Sequence, residues 1–118
     1  MTTTEIANCL VSMCRDGKVE EAKEELFAAN IKSIEPREGL LPKEIQGMQA
    51  VRDKAQLFIS HVENFFGHRI SEPVVAGDYF AISWETDLQM KGEKRKTNSE
   101  LCLYHVKNGK IISEQFFY

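Results

Sequence analysis

From Tyr79 to Tyr118 the chain repeats one pattern, and that pattern limits its fold more than any other stretch. Tyr79–Met90 places Phe80, Ile82, Trp84, Thr86, Leu88 and Met90 on one side. Tyr79, Ala81, Ser83, Glu85, Asp87 and Gln89 fall on the other, which is the two-residue period of a half-buried strand. Thr97–Val106 and Ile111–Tyr118 extend it into a meander, with one turn at Lys91–Lys96 and a tighter one at Asn108–Gly109. A sheet with an apolar face must be covered, so the earlier part of the chain has to supply helices.

It does. Thr2 and Glu5 have capping-box spacing, Ile6, Leu10, Met13 and Cys14 form a stripe, and Gly17 suits a left-handed stop. A second short helix runs from Val19 to about Ala28 with Ala22, Leu26 and Phe27 inward and a solvated acidic face. Ile31–Pro36 is a short extended piece that Pro36 terminates, and Arg37–Gly47 reads as loop. The third helix, Met48 to about Phe65, carries Met48, Val51, Ala55, Phe58, Val62 and Phe65 at helical spacing, with Gly67 as its stop. His68–Ala76 is β-rich, with Pro73 marking an edge or a bulge.

The chain has 118 residues, enough for one domain over residues 1–118. A net charge of −3 argues against nucleic acid as a partner, because phosphate binding needs a basic surface. The one basic run, Lys91, Lys94, Arg95 and Lys96, is interrupted by Glu93 at a hairpin tip and reads as a solvated turn. Cys9, Cys14 and Cys102 are odd in number and lack metal-ligand spacing, which suits buried thiols in a reducing cytoplasm. No signal-peptide pattern opens the chain and no apolar stretch approaches ~20 residues, so a cytoplasmic protein without a membrane partner is expected. No metal site, P-loop or GxGxxG is present, and no cofactor is expected.

Glu25-Leu-Phe-Ala28 leading into Ile34-Glu-Pro36, Gly47-Met-Gln-Ala-Val51 opening the long helix, and Asn108-Gly-Lys-Ile-Ile112 before the last strand carry a resemblance. The chain resembles the nuclear transport factor 2-like superfamily, especially its SnoaL-like and ketosteroid-isomerase-like branch. The resemblance implies an α+β fold in which a curved, mixed or antiparallel sheet is wrapped by three helices into a cone, a cystatin-like α+β barrel. It also implies an apolar pocket inside the cone and a homodimer through the sheet's outer face. It does not fix a reaction, because one fold hosts many functions.

Counting out from a two-residue turn at Asn108–Gly109 pairs Val106 with Ile111, His105 with Ile112, Leu103 with Glu114 and Leu101 with Phe116. Pairing Met90 with Thr97 then joins Phe80, Ile82, Trp84 and Leu88 to the face of Leu101, Leu103, His105, Ile112, Glu114, Phe116 and Tyr118. With Met13, Phe58 and Val62 from the helices, the expected wall for a small organic ligand is Met13, Phe58, Val62, Phe80, Ile82, Trp84, Leu101, Leu103, Phe116 and Tyr118. The other face, with Tyr104, Val106, Ile111, Gln115 and Phe117, is the expected dimer surface, unless these are scattered surface apolar residues.

Three residues stand out for chemistry. Glu35 precedes a proline at a strand end, where the isomerase-like members hold a carboxylate base; it could equally be an exposed Glu bonded to a loop amide. His105 and Glu114 are expected to meet diagonally on the pocket face as an acid/base pair of the kind SnoaL-like cyclases use. The oxyanion donors of the steroid isomerases have no counterpart, since Leu10, Val11 and Leu101 or Cys102 stand where they would be. Each such donor supplies roughly 3–4 kcal/mol, so steroid-type isomerisation is disfavoured. A cofactor-independent isomerase, cyclase or dehydratase type of enzyme, a non-catalytic binder and a dimeric interaction module all stay open.

Overall fold

The computed structural model describes residues 1–118. Its elements are α1 (Thr3–Arg15), α2 (Val19–Leu26), β1 (Phe27–Ile34), β2 (Glu44–Gln46), α3 (Met48–Ser60), β3 (Val62–Ile70), β4 (Val74–Ala76), β5 (Tyr79–Met90), β6 (Arg95–Lys107) and β7 (Lys110–Phe117). The capping box on α1 forms: the Glu5 amide donates to Thr2 Oγ1 at 3.1 Å and the Thr2 amide to Glu5 Oε1 at 2.8 Å. Three of the expected boundaries shift. β1 begins at Phe27 straight out of α2, and Glu44–Gln46, read as loop, pairs with Lys32–Ile34 as β2. α3 stops at Ser60, so Val62 and Phe65 stand on β3 rather than on the helix. Their spacing fits a helix, but the Val62–Ile70 segment is rich in β-formers and finds a partner in β5.

The sheet has seven strands in the order β2-β1-β7-β6-β5-β3, with β4 pairing the start of β5. β1 runs parallel to β7, and β7, β6, β5 and β3 form the antiparallel meander. The helices lie on its inner face. Ile6, Leu10, Val11 and Cys14 of α1 and Ala22 and Leu26 of α2 close on Phe80, Ile82, Cys102, Tyr104, Val106 and Ile111. The Phe80 and Tyr104 rings stack at 4.7 Å inside this core.

Two register shifts decide which residues face inward. At the tight turn Lys107 faces Lys110 and Val106 faces Ile111, with Asn108 and Gly109 both at positive φ (52° and 73°), as a type I′ turn requires. Ile112 is then an extra residue, and His105 pairs with Ser113, Leu103 with Gln115 and Leu101 with Phe117. At the other hairpin Leu88 faces Lys96 and Gln89 faces Arg95, where pairing Met90 with Thr97 would have put Ser99 opposite Leu88. That displacement is three residues, an odd number, and it turns the whole of β6 over.

Hence Leu101, Leu103 and His105 lie on the outer face, not in the cone. Tyr104, Val106 and Ile111, expected on the outer surface, are at most 5% exposed in the core. Of the expected dimer surface only Gln115 and Phe117 remain outside. The bulge at Ile112 offsets the flip for β7, so Glu114 and Phe116 do face inward.

Candidate functional site

The inner face also carries a set of buried charged side chains. On β1 Ile31 and Ser33 point inward and Glu35, the residue just past the strand, continues the alternation, with Ser33 and Glu35 0% and 4% exposed. β7 runs parallel beside it and sets Glu114 opposite Ser33. α3 contributes Lys54, three residues after Val51 and four before Phe58, so its stem shares their stripe and its ammonium reaches inside at 8% exposure.

These groups form one connected chain. Tyr118 Oη donates to Glu35 Oε1 at 2.7 Å, and Lys54 Nζ is ion-paired with Glu35 Oε2. Lys54 Nζ also donates to Ser33 Oγ at 2.8 Å, and that hydroxyl donates to Glu114 Oε1 at 2.7 Å. No buried side-chain nitrogen or oxygen lacks a partner, so the polar interior is closed on itself. Lys54 Nζ stands 4.9 Å from the Phe116 ring centroid.

Glu100 is the third carboxyl. It sits on β6 opposite Trp84, half-buried, with the Cys102 thiol donating to its Oε1 at 3.7 Å. Burial pushes its pKa up from 4.5 to about 7, and the charge of Glu35 adds to the rise. Burial also raises Glu114, against the hydrogen bond from Ser33. The Tyr118 hydroxyl is pushed up to about 12 by burial and by its bond to Glu35. Burial thus raises both Glu100 and Glu114, against the opposing charges of Lys54 on both and of Lys23 on Glu114. Trp84 and Phe116 are half-buried on the same inner face, and His68 meets Trp84 edge-on at 5.6 Å and Phe65 at 5.9 Å.

Of the residues singled out from sequence, the structure gathers Glu35, Glu114, Trp84, Phe116 and the Tyr118 hydroxyl. Phe80 and Ile82 face inward but lie deep in the packed core. Met13 is half-buried against that core, with Cys9 Sγ 3.7 Å from its sulfur. Phe58 is half-buried on α3, and Val62 is half-buried opposite Met90. His105 is on the other side of the sheet from Glu114, its ring stacked on Tyr79 at 4.3 Å, so the expected His–Glu pair does not form.

Ser33, Lys54 and Glu100 were not anticipated. Lys54 had a signal, a charge at a stripe position between Val51 and Phe58. Glu100 had one conditional on the register, its shared parity with Cys102, Tyr104 and Val106.

Two concavities, of about 310 and 620 Å³, open outside the cone, one beside Gly67, His68 and Arg69 and one against β1 and β7. The buried charged groups Glu35, Lys54 and Glu114 lie on the inner face instead. No three His, Cys, Asp or Glu side chains gather as a metal site.

A three-helix layer inside a curved, unclosed seven-stranded sheet is the α+β cone of the nuclear transport factor 2-like and cystatin-like folds. The SnoaL-like domain model matches residues 1–118, so the chain belongs to the SnoaL-like family. A Mesorhizobium loti protein superposes with a TM-score of 0.93 at 35% identity, with 100% of each chain covered. That relative carries two provisional assignments, SnoaL-like polyketide cyclase and carbohydrate phosphatase, which together leave its reaction open. A cystatin-like protein of unknown function from Xanthomonas campestris follows at TM-score 0.83 and 19% identity, covering 99% of this chain and 90% of its own. A provisional SnoaL-like polyketide cyclase from Jannaschia sp. CCS1 has TM-score 0.79 at 11% identity, covering 97% and 85%. Comparison with proteins of curated function returns no match.

Proposed function

We propose that the inner face of the cone binds a small, flat or cyclic carbonyl compound and that Glu100 exchanges a proton with it, without a cofactor. The observation that carries this reading is the buried chain Glu35–Lys54–Ser33–Glu114, with Glu100 near enough to feel the charges of Glu35 and Lys54 and Phe116 against the Lys54 ammonium. A carboxyl titrating near neutral pH serves as acid and base in turn. A substrate lying against Trp84 would give a proton from the carbon next to its carbonyl to a carboxylate, while the neutral Glu100 carboxyl donates to the developing enolate oxygen. Glu100 thereby supplies the donor that Leu10, Val11 and Leu101 cannot. The provisional cyclase assignments of the Mesorhizobium and Jannaschia proteins support carbonyl-rich ring-forming substrates as the first class to test.

The test uses side-chain carbon NMR of the Glu carboxyls and a thermal-shift screen of cyclic ketones and aromatic poly-ketones. A Glu100 midpoint near 7 that moves on ligand binding, with turnover lost in Glu100→Gln, is expected. A midpoint near 4.5 sinks the acid/base reading. Binding unaffected by Glu100→Gln and unaccompanied by turnover would make the protein a binder only.

The outer face supports a homodimer. Tyr79, Leu101 and Phe117 are 46%, 48% and 43% exposed there on adjacent strands, with Leu103 half-buried among them. Light scattering should give twice the chain mass, and Leu101→Glu should return it to one. A native protein that scatters as a single chain would discard the dimer.

A further inference from the structure

β1 and β7 part company for a short stretch between Phe27 and Lys32. Phe27 pairs with Ile111 and Lys32 with Ser113, so the four residues Ala28–Ile31 bow out against the single residue Ile112. The bow opens a groove of about 620 Å³ on the outer side of the sheet, within the range of small-molecule sites. Lys32, Lys107, Lys110 and His105 line it, and no carboxylate does. Asn30 and Asn108 add amide donors, and Ile112 gives it an apolar wall.

The three lysines are free to bind. None is in an ion pair, a state they share with Lys18, Arg37, Lys43, Lys91 and Lys94, but only these three gather in one groove. Lys110 Nζ donates to the Glu25 carbonyl at 2.6 Å, which fixes the ammonium in place and leaves two of its three protons. Such concentrated positive charge is out of keeping with a net charge of −3.

We propose that this groove is a binding site for a small, multiply charged oxyanion, a phosphate ester or a polycarboxylate, distinct from the site in the cone. A nucleic-acid strand is the poorer occupant. α2 ends beside Lys110 and carries exposed Glu20, Glu21, Glu24 and Glu25, so a polyanion leaving the groove on that side meets repulsion.

The experiment titrates inorganic pyrophosphate, and separately citrate, into the ¹⁵N-labelled full chain at constant ionic strength. Saturable shifts in the millimolar range or below are expected at the amides of Lys32, Lys107, Lys110 and Ser113, while those of Trp84 and Glu100 stay still. Lys32→Gln combined with Lys107→Gln, both away from the core, should weaken binding at least about tenfold, which is about 1.4 kcal/mol, at unchanged melting temperature. Saturation by pyrophosphate alone assigns a phosphate ester, and by citrate alone a polycarboxylate. Shifts that never saturate, that chloride reproduces, or that the double variant leaves intact overturn the proposal. So does a groove silent in the native protein but responsive in Leu101→Glu, since a second copy would then be its occupant.

Discussion

Two ion pairs sit on opposite faces of the same sheet, and they are opposite cases. Arg69 and Glu85 face each other across β3 and β5 at 2.6 Å with side-chain exposures of 83% and 37%. Lys54 and Glu35 are 8% and 4% exposed, and each has a second hydrogen-bonding partner. Outside, water screens both charges whether or not they meet, and such pairs contribute ~0–1 kcal/mol. Inside, each charge has lost its hydration and depends on the others. The buried pair need not stabilise the fold relative to an apolar substitute, but it cannot be dismantled one member at a time. The same burial, with the charge of Glu35 beside it, also holds Glu100 above the usual carboxylate range.

The largest expected effect removes the inner cation alone. Lys54→Met keeps the stem volume but leaves Glu35 without its ammonium and Ser33 without its donor. Urea unfolding near neutral pH should show a loss of about 3–5 kcal/mol. The deficit should shrink in acid, because the Glu114 carboxyl, which burial already raises and the Lys54 charge lowers, no longer gains from the cation once it is protonated. A deficit independent of pH would mean that Lys54 acts through packing.

Next comes a change of the opposite sign. Glu100 titrates at about 7 in the folded chain against 4.5 ordinarily, so the unfolded state releases this proton first. Its contribution to stability is intact below pH 4.5, falls as pH rises, and is fully lost above about 7. A gap of that size corresponds to roughly 3 kcal/mol. Glu100→Gln should therefore unfold at higher urea than the native chain at about pH 8 and match it below about pH 4.5. Equal stability at both pH values would mean Glu100 is not desolvated.

The same contrast between faces explains what the sequence could and could not tell. The strand alternation of Tyr79–Met90, the capping box of Thr2 and Glu5 and the Asn108–Gly109 turn are local, and local rules read them. The face of β6 is not local. It depends on where Leu88 finds its partner and on one extra residue at Ile112, and parity turns any odd displacement into a complete exchange of inside and outside. That exchange took His105, Leu101 and Leu103 out of the cone and brought Glu100 and Tyr104 in. Glu35 and Glu114 kept their side because β1 and β7 are set by each other and by the bulge. Lys54 was legible only to a reading that gave charge no exemption from the helical stripe.

The smallest effect tests the outer pair. Arg69→Ala removes the partner of Glu85 but leaves its carboxylate in contact with water, so unfolding should move by less than about 1 kcal/mol. Added salt should erase even that, since mobile ions screen exposed charges within about 10 Å at 0.1 M. The Lys54→Met deficit should survive the same salt, because ions do not enter a cluster in which no buried polar atom lacks a partner. If salt relieved both variants equally, the inner cluster would be open to solvent. Glu100 would then have no reason to titrate near neutrality, and the two faces would differ only in which residues they display.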